Sequence, residues 1–300
     1  MANDLQHFIR EIWAPEVQEN ATKNLVAMQI CEVIELADGD TYNNPYASDP
    51  TVGTYTRNPA SAGVSTSDIT STNEQLVIGT AQYAAFKVDR LDEKQMKYRL
   101  NGRMKDRATY KLRDTIDTAI LAEHANAGSE VDGGDVGQTD GQGINLATST
   151  GAVMDAILAG EAKLAAQSVE NNGDLFLVMH PSDYILYGKK YLIANGFQLA
   201  DSVMKNGYKG DLNGISVFTS LNVGTSVVSN HNVRHWLMGK KGAISFGKNA
   251  GSLINLEVIE NPKLSDGTTF LGTEYILWDL YGKKVFTEGA RELVDIVIRF

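Results

Sequence analysis

The chain has 300 residues, 43% hydrophobic and 21% charged, a balance that permits a sizeable core and excludes wholesale disorder. Its single cysteine excludes an intrachain disulfide, and no apolar run is long enough to cross a bilayer, so we expect no membrane partner. The net charge of −10 argues against a surface that grips nucleic-acid phosphates, because such affinity comes mainly from lysine and arginine.

The charge is unevenly distributed along the chain. Residues 1–86 contain only three basic residues among many acids, whereas the stretch KVDRLDEKQMKYRLNGRMKDRATYKLRD that follows is densely basic. This asymmetry is typical of attraction between segments or subunits, or of two separate solvated faces; the sequence leaves both interpretations open.

Residues 5–37 predict an arm. Phe8, Ile9 and Trp13 are apolar, Pro15 interrupts the local structure, and residues 25–36 (LVAMQICEVIEL) predict a short buried strand or helix. Residues 41–86 are rich in Thr, Ser, Asn, Pro and Gly but keep many β-formers, which predicts a long extended hairpin. Such a segment seldom stands alone, so it is either disordered or covered by a neighbouring molecule; the β-formers favour the second.

A long helix is predicted over residues 92–126. Apolar residues recur every four positions, so the apolar stripe winds slowly around the helix and contacts different neighbours along its length. The members of the stripe are Met96, Leu100, Met104, Ala108, Leu112, Ile116 and Ile120. A second helix is predicted over 148–167, a buried strand over 174–180 and a helix over 181–193, and the last 65 residues are mostly strands.

Motifs for catalysis or cofactor binding are missing from the sequence. GxGxxG, the Walker A loop, GxSxG and HExxH do not occur. His231 and His235 lead into a strand without a cysteine or carboxylate cluster, and the loop DGGDVGQTD lacks the spacing of an EF-hand, so we predict neither a metal site nor a cofactor. An enzyme whose catalytic residues are scattered in sequence stays an alternative.

The order of these parts resembles the tailed-phage major capsid proteins of the Hong Kong ninety-seven capsid fold. FIREIWAPEV resembles the opening of the arm, DEKQ with TYKLRDTIDTAIL the spine helix, and LFLVMHPSDYILYGKK the strand–proline–helix unit of the axial domain. KGDLNGISVFTSLNV and LYGKKVFTEGARELVDIVI resemble the later strands. The match spans nearly the whole chain, and it rests on the order of pieces that are each weak alone.

The resemblance implies an α+β fold with an N-terminal arm (1–38), an extended β-hairpin loop (39–88), a peripheral domain with a spine helix and β layer (89–148 and 251–300) and an axial α/β domain (149–250). It implies a shell protein without catalytic activity, built into pentamers and hexamers of an icosahedral virion capsid around double-stranded DNA, which it does not bind tightly. Assembly in the cytoplasm of a bacterial host, with portal, scaffolding and decoration proteins as further partners, is also implied.

The resemblance leaves one alternative open and is accompanied by two expectations about contacts between subunits. The same fold builds cellular, encapsulin-like nanocompartments, and the sequence alone does not separate them from phage shells. The expected intersubunit contacts lie on the loop and the spine helix, at Tyr42, Tyr46, Tyr55, Arg57, Arg103, Arg107, Lys111 and Arg113. Residues 24–86 contain no lysine, so we expect no lysine–asparagine cross-link from the loop.

Overall fold

The computed structural model describes residues 22–55, 57, 64, 66, 68–95, 101–147, 152–187, 208–212, 214–264 and 266–300. In chain order its strands are β1 Glu32–Leu36, β2 Thr41–Ala47, β3 Ser71–Val77, β4 Thr80–Asp89, β5 Ser129–Val131, β6 Ile144–Asn145, β7 Leu175–Met179, β8 Tyr208–Leu212, β9 Ile215–Thr219, β10 Gly224–Val228, β11 His231–Lys240, β12 Ile244–Asn249, β13 Ile254–Glu260, β14 Gly272–Val285 and β15 Leu293–Arg299. The α-helices are α1 Arg90–Gln95, α2 Asn101–Leu121, α3 Ala152–Ala166, α4 Pro181–Tyr187 and α5 Thr287–Arg291.

The long basic helix predicted from the four-residue stripe is confirmed over α2, and a 3₁₀ turn, Ala122–Asn126, continues it to the predicted end. The buried apolar residues of the stripe, Leu112, Ile116 and Ile120, all lie in the C-terminal half of α2, whereas Met104 is 40% exposed. The stripe therefore leaves the core towards the N-terminal end of α2. Residues 96–100 of the predicted helix lie outside the described residues.

The five-stranded sheet joins segments that are far apart in sequence. β14 pairs antiparallel with β12, β13 and β4, and β1 pairs parallel with β12. Helix α2 packs on this sheet through β14 and β4. The segment 25–36, left open between strand and helix, contains a 3₁₀ turn, Ala27–Gln29, followed by β1.

The eight-stranded sheet has the order β5-β15-β11-β7-β9-β8, with β10 paired to β11 and β6 paired to β15. All five residues of β7 and of β9 are buried, as the sequence predicted for a strand at 174–180. Helix α3 packs on β15 and β5, and a Cβ atom on its Gly160 would lie 2.8 Å from Met238 Sδ. Glycine therefore permits the close approach of α3 to the sheet.

One hydrophobic core connects the two sheets, because Trp236 and Phe176 of the larger sheet belong to the same buried cluster as Phe246 and Tyr281 of the smaller one. Within the described residues, no helix combines the length and the apolar character that crossing a bilayer requires.

The sheet memberships do not follow the predicted boundary at residue 250. β12, which precedes that boundary, pairs with β14 in the five-stranded sheet. β15, which follows it, pairs with β11 in the eight-stranded sheet. The segment 39–88 also divides, because β2 and β3 form a separate hairpin whereas β4 is a full strand of the five-stranded sheet.

Candidate assembly surface

The extended hairpin is formed by β2 and β3, which pair antiparallel from Thr41 opposite Val77 to Ala47 opposite Ser71. Hydrogen bonds between polar side chains reinforce the pairing: Asn43 Oδ1 accepts from Asn73 Nδ2 and from Gln75 Nε2, each at 2.9 Å. The pairing continues past the strands, since Ser48 N donates to Thr70 O at 2.9 Å. The outer part of the loop, residues 49–69, begins beyond this last pair.

The base of the hairpin is fixed to the closing segment of the same chain. The Glu74 carboxylate accepts a hydrogen bond from Thr287 N at 3.0 Å and another from the Thr287 hydroxyl. These two bonds hold the pKa of Glu74 below its usual range. Lys284 Nζ also donates to Gln75 O at 2.9 Å. These contacts set the direction in which the loop leaves the subunit, and nothing local in the sequence indicated them.

The structure places the predicted loop residues in two different environments. The Tyr42 ring lies 6.4 Å from the Phe286 ring, and the charge of Glu288 raises the pKa of Tyr46, so both tyrosines neighbour their own closing segment. Tyr55 is 62% exposed and Arg57 is exposed as well.

The predicted basic residues lie along α2. Arg107 lies over the Tyr110 ring at 5.3 Å, and Lys111 Nζ lies 3.7 Å from Asp114 Oδ2. Arg103 is half-buried, whereas Arg113 is exposed. The helix thus presents a basic surface beside the acidic arm, but Glu35 of that arm pairs with Lys248 Nζ of β12 at 2.7 Å and not with a helix residue.

A buried carboxylate on α2 anchors the inner end of the arm. Asp117 is 2% exposed, and its Oδ1 accepts hydrogen bonds from Val26 N at 2.7 Å and Ala27 N at 2.8 Å. Its Oδ2 accepts from Asn222 Nδ2 at 2.9 Å. Burial raises the pKa of Asp117, although these bonds oppose the shift. The sequence analysis missed this residue; an acid directly after Ile116 of the apolar stripe was the available signal.

Two aspartates of the glycine-rich loop DGGDVGQTD have partners within the subunit. Asp132 accepts hydrogen bonds from Gly134 N at 2.9 Å and Gly141 N at 2.6 Å. Asp135 pairs with Lys163 Nζ at 2.7 Å. The arrangement stabilises a turn and links it to α3.

A sequence model of the family described as phage capsid protein matches residues 84–291, which is more than half of the chain. The chain belongs to the phage capsid protein family. It is a major capsid shell protein, a structural component of the virion, and the nanocompartment alternative is not favoured. No curated protein sequence matches this capsid protein at a significant level.

Solved structures show the same fold. The capsid of the cyanophage P-SCSP1u matches with a TM-score of 0.73 at 12% identity, covering 98% of this chain and 94% of that chain. A chain from Mycobacterium phage Che8 matches with a TM-score of 0.71 at 17% identity, covering 96% of each chain. The capsid of the native GTA particle matches with a TM-score of 0.63 at 12% identity, covering 99% of this chain and 97% of that chain. The α+β capsid fold predicted from the sequence is confirmed.

Proposed function

We propose that this capsid protein assembles with itself, as pentamers and hexamers, into an icosahedral shell that encloses double-stranded DNA. The observation that carries the proposal is the outer part of the hairpin loop. Val52 is 95% exposed, Val64 78%, and Tyr55 and Ile69 62% each. Apolar side chains on a segment that its own core does not cover gain most from burial against another copy of the chain.

We place the neighbouring subunit on the exposed part of this loop and on the basic surface of α2. Tyr55, Arg57, Lys111 and Arg113 are exposed there, whereas Tyr42, Tyr46, Arg103 and Arg107 are part-buried in their own subunit and would make smaller contacts. Acidic residues of a neighbouring arm would meet the basic surface and help to set the register of adjacent subunits.

We also propose a division of the chain into four parts. Residues 1–38 serve as the arm, 39–88 as the extended loop, 89–148 with 251–300 as the peripheral domain, and 149–250 as the axial domain. Because β12 and β15 each pair with the other domain's sheet, the two domains share their boundary strands and move as one body more readily than as two.

The interior contact with DNA should be weak. The chain carries 37 acidic and 27 basic residues, and an acidic wall lets a packed duplex slide, whereas one rich in lysine and arginine would pin it. Shells would form in the cytoplasm of a bacterial host, with portal, scaffolding and decoration proteins as separate partners. Residues 24–86 contain no lysine, and Lys87, the only lysine of the proposed loop, lies on β4 with its Nζ 3.6 Å from Glu274 Oε1, so we expect non-covalent contacts to hold the shell.

Electron microscopy and size-exclusion chromatography of the purified full-length protein test the proposal. We expect closed particles that dissociate to monomer on a denaturing gel. A discrete small oligomer that forms no particles under any salt condition would contradict the proposal. Particles that carry a stoichiometric host enzyme as cargo would support the nanocompartment alternative.

A further inference from the structure

A serine, a histidine and an aspartate form a continuous chain of hydrogen bonds on one face of the eight-stranded sheet. Ser226 lies on β10, His235 on the neighbouring β11 and Asp295 on β15. Ser226 Oγ lies 2.7 Å from His235 Nε2, and His235 Nδ1 lies 2.7 Å from Asp295 Oδ2. Because the three residues are far apart in sequence, only the pairing of β11 with β10 and with β15 brings them together.

The carboxylate at one end of this chain determines which atoms donate. Burial alone would raise the pKa of Asp295, but hydrogen bonds from His124 and His235 hold it below its usual value. A carboxylate only accepts hydrogen bonds, so Nδ1 of His235 donates to it. In a neutral imidazole the other nitrogen then carries a lone pair, and the Ser226 hydroxyl donates to that nitrogen. This is the order of donors in which a histidine activates a serine hydroxyl as a nucleophile.

Packing fixes the orientation of the His235 ring. The ring of His124 stacks on it, with centroids 4.0 Å apart and planes at 14°, and His124 Nδ1 lies 3.2 Å from Asp295 Oδ2. Gly224 of β10 lies directly opposite His235, and a Cβ atom there would be 2.5 Å from His124 Nε2. Glycine at this position therefore leaves room for the stacked ring, which keeps Nε2 of His235 directed at the serine.

Ser226 lies at the accessible end of the chain of hydrogen bonds. It is exposed, whereas Asp295 is buried. Among the described strands, β10 pairs only with β11, which leaves its other edge open. Asn232 of β11 directs its backbone towards β15, since its carbonyl accepts from Phe300 N, so Val227, its partner in register, turns its N–H towards the open edge. A backbone N–H next to the nucleophile is the kind of donor that stabilises an oxyanion.

A second contact between a serine and a histidine in the same chain lacks the carboxylate. Ser182 is exposed, and its Oγ lies 2.7 Å from His180 Nδ1. The same oxygen accepts from Arg234 Nη1 at 3.0 Å and lies 3.2 Å from Asp183 Oδ1. Within the part of the chain that the structure describes, the His180 ring has no hydrogen bond to a carboxylate. Ser182 is therefore a matched control for Ser226 within one molecule.

We propose that Ser226 is an activated nucleophile that takes the acyl group of a carboxylic ester. Ser226 Oγ forms the new bond to the acyl carbon while His235 Nε2 takes the hydroxyl proton. The bond between that carbon and the leaving oxygen then breaks, and His235 gives the proton to the leaving oxygen, so the products are an acyl-serine and a free alcohol. Asp295 does not touch the ester and acts as a positioning residue for the His235 ring.

Peptide mass spectrometry of the full-length protein, treated with p-nitrophenyl acetate near neutral pH, tests the proposal. We expect Ser226 to be acetylated about 100-fold faster than Ser182, the advantage that a positioned base commonly confers. Ser226→Ala should leave the acetylation of Ser182 unchanged. In denaturing urea the two serines of the wild type should react at the same rate, because the advantage of Ser226 depends on the fold.

Variants of the other two residues test their roles. His235→Gln should slow the acetylation of Ser226 about 100-fold. Asp295→Asn should also slow it, and Asp295→Glu, which keeps a carboxylate, should restore part of the rate. Equal rates at Ser226 and Ser182 in the folded wild type would overturn the proposal, as would a rate at Ser226 that His235→Gln leaves unchanged. If the variants do not fold, the comparison of the two serines in folded and urea-treated wild type decides alone.

Discussion

The extended hairpin and the eight-stranded sheet differ in how many of their side chains are buried. Every residue of β7 and β9 is buried, whereas β3 of the hairpin buries one residue, Leu76, and exposes most of the others. The sheet is stabilised by its own apolar contacts, whereas the hairpin is fastened to the closing segment by polar contacts of Glu74 and Lys284 and by the neighbouring Tyr42 and Phe286 rings. Stability therefore resides in the sheet, and the outer hairpin is left available for the contacts with other copies that we propose.

The two regions should differ most in the free energy of unfolding that is lost when a large side chain is removed. Phe176→Ala empties a fully buried position in β7 and should destabilise the subunit by about 3 to 5 kcal/mol. Tyr55→Ala removes an aromatic ring of similar size from the exposed loop and should change the free energy of unfolding by less than about 0.5 kcal/mol. Chemical denaturation of the unassembled subunits measures both. Equal losses would erase the distinction between the regions.

A buried acid beneath the spine helix should have the next largest effect. Asp279 of β14 is fully buried, and neither of its oxygens has a hydrogen bond of good geometry among the described residues. Burial raises its pKa from 3.8 to about 6, slightly opposed by the backbone of Gln82. Because the folded state binds this proton more tightly than the unfolded state, the contribution of Asp279 to stability is greatest below pH 4 and is lost as the pH rises through 6.

Asp279→Asn should therefore stabilise the subunit at pH 7.5 by about 1 to 3 kcal/mol and leave its stability at pH 4 nearly unchanged. Thermal unfolding at the two pH values is the measurement, with the exposed Asp38→Asn as a control that should change neither. A lower melting temperature for Asp279→Asn at pH 7.5 would show that the carboxylate has a partner that stabilises its charged form.

The local pattern of apolar residues predicted the positions of helices and strands better than it predicted which strands pair. The four-residue stripe predicted α2, and the apolar run LFLVM predicted β7, because burial on one face or on both leaves a periodic signal in sequence. The pairing of β4 with β14 was not predicted, since it joins residues about two hundred positions apart. Residues 80–88 of β4 were consequently assigned to the loop.

The assembly surface, too, has features that local sequence indicated and features that it did not. Tyr55 and Arg57 are exposed because they lie in a segment that is too polar to form its own core. The sequence indicated that polar character. Contacts of Tyr42 with Phe286 and of Asp117 with the arm depend on tertiary folding and leave no local pattern. The contact between the rings of His124 and His235, whose centroids lie 4.0 Å apart, was missed for that reason as well: spacing suggested His231 as the neighbour of His235, whereas the fold brings His124 to it.

Charge reversal on the spine helix should have the smallest effect on stability. Arg107→Glu with Lys111→Glu changes two residues of α2, where exposed ion pairs contribute about 0 to 1 kcal/mol each. We expect a nearly unchanged melting temperature but slower assembly at low salt, followed by light scattering, because the acidic arm of a neighbour would meet negative charge. Lys87→Glu with Lys263→Glu, on β4 and on the loop between β13 and β14 of the five-stranded sheet, provides a control of equal charge, since Lys87 pairs with Glu274 as Lys111 pairs with Asp114. Equal assembly kinetics in both variants and the wild type would identify the charged surfaces as merely solvated.

Shortening the hairpin tests the central claim most directly. Residues 49–69 can be replaced by Asn-Gly, since Ser48 and Thr70 already pair and a two-residue turn closes such a hairpin. The contacts of Glu74, Gln75 and Tyr42 with the closing segment stay intact. Melting temperature and particle formation are then measured on the same preparation. We predict a subunit that melts within a few degrees of the wild type and forms no closed shells. Closed shells from the shortened protein would contradict the account.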